Sequence, residues 1–315
     1  MKKFGRWLVL GLVLAFLLKT LLDRAAEVAT LRLTAQGWGW LALSLGLTAA
    51  AHLWSAVVWG WLLQAFGRSA PRGWVMRTYL VTNVAKYLPG NVWHFYGRIR
   101  AAGRVGVAWP VAAASVLLEP LLMAVAALLL GVLASDRAWW GVQLALAIGV
   151  LAAVHPRILN PLLQRLGRRK LQTTDSSPHH QPAQLSQYPI GPLLGETGFL
   201  LWRGAGFLAA LAAFSAINPL DLPRLASGFG LAWLLGLVVP GAPGGVGVFE
   251  AAAIALLGSI VNPAALLASV ASYRLVSVLA ETGLGGLAWW LTPPAEQIWT
   301  GESASRESEA SEIAD

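Results

Sequence analysis

The sequence has no cysteine and little charge: of its 315 residues only 12% are Asp, Glu, Lys or Arg. Lack of cysteine excludes disulfides and thiolate metal ligands, and leaves the compartment unassigned on that ground. Scarcity of charge, with 57% hydrophobic residues and a mean hydropathy of +0.61, excludes an ordinary soluble domain. No Walker A run is present, so ATP hydrolysis by this chain is not expected. No polar loop carries a D-x-D motif or a paired-carboxylate arrangement, which argues against metal-assisted or acid-base chemistry. The charge that exists is mostly basic, a net +8, but it is dispersed in short loops and forms no single basic face. A nucleic-acid partner is therefore not expected.

What is there is a series of apolar segments: Trp38 to Phe66, Trp109 to Ala134, Trp139 to Val154, Leu193 to Ala216, Phe229 to Val239, Val246 to Val261 and Ala264 to Leu291. A first span is read in "MKKFGRWLVLGLVLAFLLKTLL", because no small-residue cleavage site follows its apolar run. At about 20 residues per crossing, the pattern predicts an all-α polytopic membrane protein of about eight segments. The segments around Phe229 and Val246 are short and read as half-helices. Tryptophans 38, 40, 139, 140, 289 and 290 stand where headgroups would be.

Cation placement predicts orientation. Lys2, Lys3 and Arg6, then Arg68, Arg72 and Arg77, then Arg157, Arg165, Arg168, Arg169 and Lys170 share one side if the segment Lys86 to Arg98 dips in without crossing. By the positive-inside rule that side is cytoplasmic, with both termini there, in a cell (inner or plasma) membrane. Residues 1–294 read as one helical membrane domain containing a polar cytoplasmic linker at 155–192. Residues 295–315 read as a disordered acidic tail. His179 and His180 are taken as linker composition and not as a metal site.

Two stretches break the apolar pattern. "KYLPGNVWHFYGR", Lys86 to Arg98, and "VVPGAPGGVGVFEAAAIALL", Val238 to Leu257, each place Pro-Gly ahead of an aromatic-bearing helix start. Non-helical backbone at membrane depth is tolerated only inside protein or beside a wet cavity. Paired interruptions of opposite entry are the pattern of transporter inverted repeats, with substrate bound between them. The first amides of a helix favour an anion, and a lipid phosphate is a natural one. Glu119, Arg203, Glu250, Arg274 and Glu281 lie in apolar segments, where a charge costs at least about 2.5 to 3.5 kcal/mol unless it faces a partner or water. They are expected to point inward, Arg274 and Glu281 on one helical face.

The segments "KYLPGNVWHFYGRIRAAGRVGV", "PGAPGGVGVFEAAAIALL" and "SYRLVSVLAE" resemble the signature regions of the lysylphosphatidylglycerol synthase transmembrane family. The resemblance implies a helical fold with broken or re-entrant elements and lipid translocation between leaflets. It also implies that this chain, extending about two dozen residues past Leu291, lacks the soluble aminoacyl-transferring domain and does not itself make the lipid. Where members often show E-R-x-x-D, "LLEPLLM" keeps Glu119 but has Pro120 and Met123, leaving Glu119 without a local partner. Arg274 keeps the family's Y-R, and Glu281 stands where proline is common.

The candidate headgroup-binding set is Lys86, Pro89, Gly90, Asn91, His94, Arg98, Gly241, Gly244, Gly245, Gly247, Glu250 and Arg274, with Glu119, Arg203 and Glu281 as further intramembrane charges. Lys86, Arg98 and Arg274 are expected to attract the phosphate. Asn91 and the glycine-rich helix starts are expected to bind its oxygens, and His94 to position. No catalytic residue, metal or cofactor is assigned. The reading favoured is a flippase or amphiphile transporter for an anionic phospholipid or lipid-linked headgroup. A transferase acting on lipid-linked substrates and an accessory subunit of envelope lipid enzymes are the alternatives. A membrane phospholipid is the expected partner, and a membrane partner protein or a second copy is left open.

Overall fold

In hydrocarbon each backbone N–H and C=O needs an internal partner, so the apolar runs have little choice but to form helices. The computed structural model describes residues 33–88, 92–133, 137–171, 184–239 and 243–291, except for the side chains of 137–138, 166–171 and 243. Among the described residues there are helices and no strands. The α-helices are α1 (Ala35–Ala65), α2 (Arg72–Asn83), α3 (Trp93–Arg104), α4 (Trp109–Val132), α5 (Arg137–Ala153), α6 (Pro156–Leu171), α7 (Ile190–Ala212), α8 (Leu222–Val238), α9 (Val248–Leu257) and α10 (Pro263–Trp290). Short 3-10 turns occupy Val84–Tyr87 and Pro243–Gly245.

Three of these, α1, α4 and α10, are long and apolar enough to cross a membrane. A fourth span is obtained if Trp139–Ala153 and Pro156–Arg165, bent by 58° at a short break, count as one. The described helices thus supply three or four spans by length and composition, against the eight segments expected, and the expected first span lies outside the described residues. Of the other expected segments, α7 is 23 residues long but carries Glu196 and Arg203 in its apolar run, and α8 and α9 are 17 and 10 residues long, short of a full crossing. The exposed indoles of Trp38, Trp139 and Trp290 stand near helix ends, as an interfacial belt requires.

The segment from Phe229 begins earlier than its apolar run suggests. Pro223 fits the first turn of α8, where its missing N–H costs nothing, so the helix starts at Leu222. The stretch 155–192 is also more structured than its composition suggests. Its first part is α6, and Asn160 of that helix accepts from the N–H and donates to the C=O of Leu185, at 2.8 and 3.1 Å. The acidic tail lies outside the described residues.

Helix contact is made by small residues. On α7, Gly195 and Gly206 let α1 approach: Trp54 donates its indole N–H to the Gly195 carbonyl at 2.7 Å, and Ser44 donates to the Gly206 carbonyl at 2.7 Å. A side chain at Gly195 would meet Val58 at 2.6 Å. On the other side, Ser227 of α8 donates to the Gly131 carbonyl of α4 at 2.6 Å. A ring cluster of Phe207, Phe229, Phe249 and Tyr273 ties α7, α8, α9 and α10 together, with neighbouring centroids 5.3 to 6.3 Å apart. That cluster fixes the start of α9, and with it the second break, against the long helices.

Candidate functional site

The two breaks meet. The 3-10 turn Val84–Tyr87 ends α2 on one side of a partly open cavity, and Pro243–Gly245 precedes α9 on the other. A side chain at Gly244 would lie 2.9 Å from the Tyr87 ring. Both breaks border a cavity of about 320 Å³, lined also by residues of α1, α2, α3, α4, α7, α8, α9 and α10. Lys86, His94, Arg98, Glu119, Arg203, Gly244, Gly245, Arg274 and Glu281 all line it. Of the remaining sequence candidates, Glu250 is buried just behind Arg274 and Gly247 is the N-cap residue of α9. Pro89, Gly90, Asn91 and Gly241 lie outside the described residues.

Three carboxylates organise the charge. Glu119 receives Arg98 on Oε2 and the Tyr79 hydroxyl on Oε1 at 2.8 Å. Tyr79 in turn takes the Ser55 hydroxyl at 2.7 Å, and the Arg98 guanidinium lies 4.4 Å over the Tyr79 ring. Glu119 therefore has its partner on α3, 21 residues earlier, and not on its own helix. Glu281 receives Lys86 at 2.8 Å and the Tyr87 hydroxyl at 2.8 Å on Oε2, and His52 Nε2 at 2.9 Å on Oε1. Glu250 receives the Arg274 Nε at 2.7 Å on Oε1, and the Gly247 N–H at 2.6 Å on Oε2. Arg274 spends its other nitrogens on the carbonyls of Gly244 and Gly245, at 2.9 and 3.1 Å.

The second break is therefore built around an arginine and a glutamate of the chain itself. Gly244, Gly245 and Gly247 all have positive φ, which turns successive carbonyls inward toward Arg274. Glu250, in the first turn of α9, accepts the N–H of the N-cap residue Gly247, so the chain places its own carboxylate at the helix start where a lipid phosphate was expected. Lys86, Arg98 and Arg274, expected to face the phosphate, each hold a carboxylate.

Arg203 is different. Among the described residues no carboxylate lies within ion-pair distance of it; its guanidinium sits 5.0 Å over the Tyr273 ring, and its Nη1 is 3.3 Å from His52 Nε2. That nitrogen cannot serve both neighbours. The His52 Nδ1 is enclosed without a partner, so the hydrogen on Nε2 goes to the charged Glu281 and leaves Arg203 facing an N–H. The Arg203 Nε is also buried without a partner. Among the described residues four cations line the cavity; Lys86, Arg98 and Arg274 each contact a carboxylate, and Arg203 does not.

Sequence reasoning missed His52, Tyr79, Tyr87 and Glu196. A lone histidine in the apolar run "AAAHLWSA" was the available signal for His52. Glu196, two turns before Arg203 in α7, is 0% exposed and has no hydrogen bond to either carboxyl oxygen. It does not line the cavity.

No curated protein matches the chain. A family model described as "Lysylphosphatidylglycerol synthase TM region" matches residues 7–285, which include both breaks and every residue of the cavity. The chain belongs to the lysylphosphatidylglycerol synthase transmembrane-region family.

Proposed function

We propose that this protein is a lipid translocator, moving an anionic phospholipid or lipid-linked headgroup between leaflets of a cell membrane. The observation that carries the reading is Arg203: a buried guanidinium on the wall of a cavity bordered by two broken elements, with no carboxylate in ion-pair contact with it among the described residues. A charge so placed is costly in a bundle surrounded by lipid, and a ligand anion supplies the missing partner. A cavity of about 320 Å³ is within the range that holds a small polar group. The headgroup phosphate would enter it while the acyl chains stay in the bilayer. His94 adds a second donor, and Lys86, with its side chain 21% exposed, stands where it attracts the headgroup on entry.

The experiment is translocation of a fluorescent phosphatidylglycerol in liposomes containing purified wild type or Arg203→Gln. Because Arg203 makes no ion pair among the described residues, the variant is expected to fold with a melting temperature close to wild type and to lose at least about tenfold in rate, the equivalent of a charge-assisted hydrogen bond. A folded Arg203→Gln protein that translocates at the wild-type rate overturns the reading.

A further inference from the structure

Away from the cavity, α6 carries an outer face that nothing in the described bundle uses. Its sequence, "PRILNPLLQRLGRRKL", holds five Arg or Lys in 16 residues and no Asp or Glu. The inner face is occupied: Leu159 and Leu163 pack against the core, and Asn160 holds the backbone of Leu185. On the outer face Ile158 and Leu162, one turn apart, are 54% and 50% exposed. Arg157 and Arg165 are exposed beside them. Neither arginine makes an ion pair among the described residues. Arg168, Arg169 and Lys170 continue the same helix.

The place of α6 in the fold is equally specific. The preceding helix α5 has 17 residues, a length of about 25 Å, which is at the short end of a membrane crossing. Trp139 is exposed near its start, and Val142, Leu144, Leu146 and Ile148 are exposed along its length, as side chains facing hydrocarbon would be. The chain then bends by 58° into α6. If α5 crosses near the bilayer normal, that bend lays α6 closer to the membrane plane than to the normal, at the level where α5 leaves the hydrocarbon.

We propose that α6 lies in the headgroup layer and is a binding surface for anionic phospholipid, with Ile158 and Leu162 entering the acyl boundary and Arg157 and Arg165 meeting lipid phosphates. A face that interleaves large aliphatics with unpaired cations is poorly matched to water, which leaves the aliphatics wet, and to hydrocarbon, which leaves the cations unsolvated. The headgroup layer satisfies both. The charge selects the occupant: five cations without an acid repel a second copy of the same face and favour negatively charged headgroups. This surface is independent of whatever the cavity carries.

The test places a reporter on the face itself. Because the chain has no native cysteine, Leu162→Cys carries a single fluorophore at an exposed position. The full chain is put in phosphatidylcholine nanodiscs containing equal mole fractions of either phosphatidylglycerol or phosphatidylcholine with a nitroxide quencher high on the acyl chain. Both lipids are expected to quench, the glycerol lipid at least about twofold more strongly at low salt, with the difference narrowing as salt is added. The difference is expected to vanish when Arg157→Gln and Arg165→Gln are combined in the labelled protein. Equal quenching by the two lipids at low salt overturns the anionic preference, and a preference that survives the double substitution overturns the role of the two arginines. No quenching by either lipid overturns the membrane contact and leaves the face to water or to a protein cover. Ile158→Cys gives the same reading from a second position if Leu162→Cys does not fold.

Discussion

Arg274 Nε meets Glu250 Oε1 at 2.7 Å, and the same guanidinium reaches back to two consecutive carbonyls, of Gly244 and Gly245, across the break that precedes α9. One side chain of α10 thus holds in place backbone that has no helix to satisfy it. The arrangement explains how a Pro-Gly run is tolerated at membrane depth without water as acceptor or donor.

Arg274→Gln is therefore expected to act on the fold before it acts on transport. It leaves Glu250 buried without its cation and two loop carbonyls without donors, at a cost of about 3–5 kcal/mol. Arg274→Lys keeps the charge but not the planar fork, and is expected to fall between the two. Thermal unfolding in detergent reads this directly. Arg274→Gln with a wild-type melting temperature and lost translocation would return Arg274 to the role of headgroup ligand.

The glycines of the break separate strain from contact. A side chain at Gly245 would lie 2.9 Å from the Gly236 carbonyl oxygen and 3.1 Å from its Cα, and φ is +72°. Both neighbours are backbone of α8 and cannot swing aside. At Gly247, φ is +86° but the space is open. Gly247→Ala is expected to cost about 1–2 kcal/mol of backbone strain and still fold. Gly245→Val is expected to add overpacking of about 1–3 kcal/mol to that strain and to reduce the yield of folded protein sharply. Comparable yields of the two variants would show that the break is not packed against α8.

The all-helical class, the long helices α1, α4, α7 and α10 and the second break were legible in composition and periodicity, because a bilayer permits so few backbone solutions, whereas α2, α3 and α6, short or polar, gave no such signal. Inward placement of Glu119, Arg203, Glu250, Arg274 and Glu281 followed from the cost of a charge in lipid, and all five are buried. Their pairing was not legible. Tyr87 bonds Glu281 across 194 residues and Arg203 touches His52 across 151, and no local spacing encodes such contacts. Arg274 and Glu281, seven apart, do share the cavity as their helical face predicts, yet each is claimed by a different element. Without the pairing, Lys86, Arg98 and Arg274 looked as available as Arg203. Only the contacts show that, of the four, Arg203 makes no ion pair among the described residues.

Orientation in the membrane is tested separately. The basic loops agree in sidedness when Lys86 to Arg98 does not cross, and on that arrangement residues 155–192 are expected in the cytoplasm. The chain has no native cysteine, so Ser176→Cys introduces a single thiol. An impermeant maleimide is expected to miss it in intact cells and to label it after permeabilisation. Labelling from outside intact cells would reverse the assignment.

The Arg98–Glu119 pair separates a structural ion pair from a ligand site. Both residues line the cavity, yet Arg98 is only 2% exposed, stacked against Tyr79 and directed at Glu119. Glu119→Gln strands that guanidinium in the core, and is expected to cost about 3–5 kcal/mol, whereas Tyr79→Phe removes one donor from Glu119 and is expected to cost about 1–3 kcal/mol. Replacing the ion pair by apolar residues of similar volume, Arg98→Met with Glu119→Leu, is expected to restore stability to near wild type, since well-packed apolar pairs commonly equal or exceed a buried ion pair. Melting temperatures of the three variants check the ranking. The double variant then reads function on a folded protein: retained translocation assigns the pair to scaffolding, and loss of translocation at a wild-type melting temperature makes Arg98 or Glu119 part of the path.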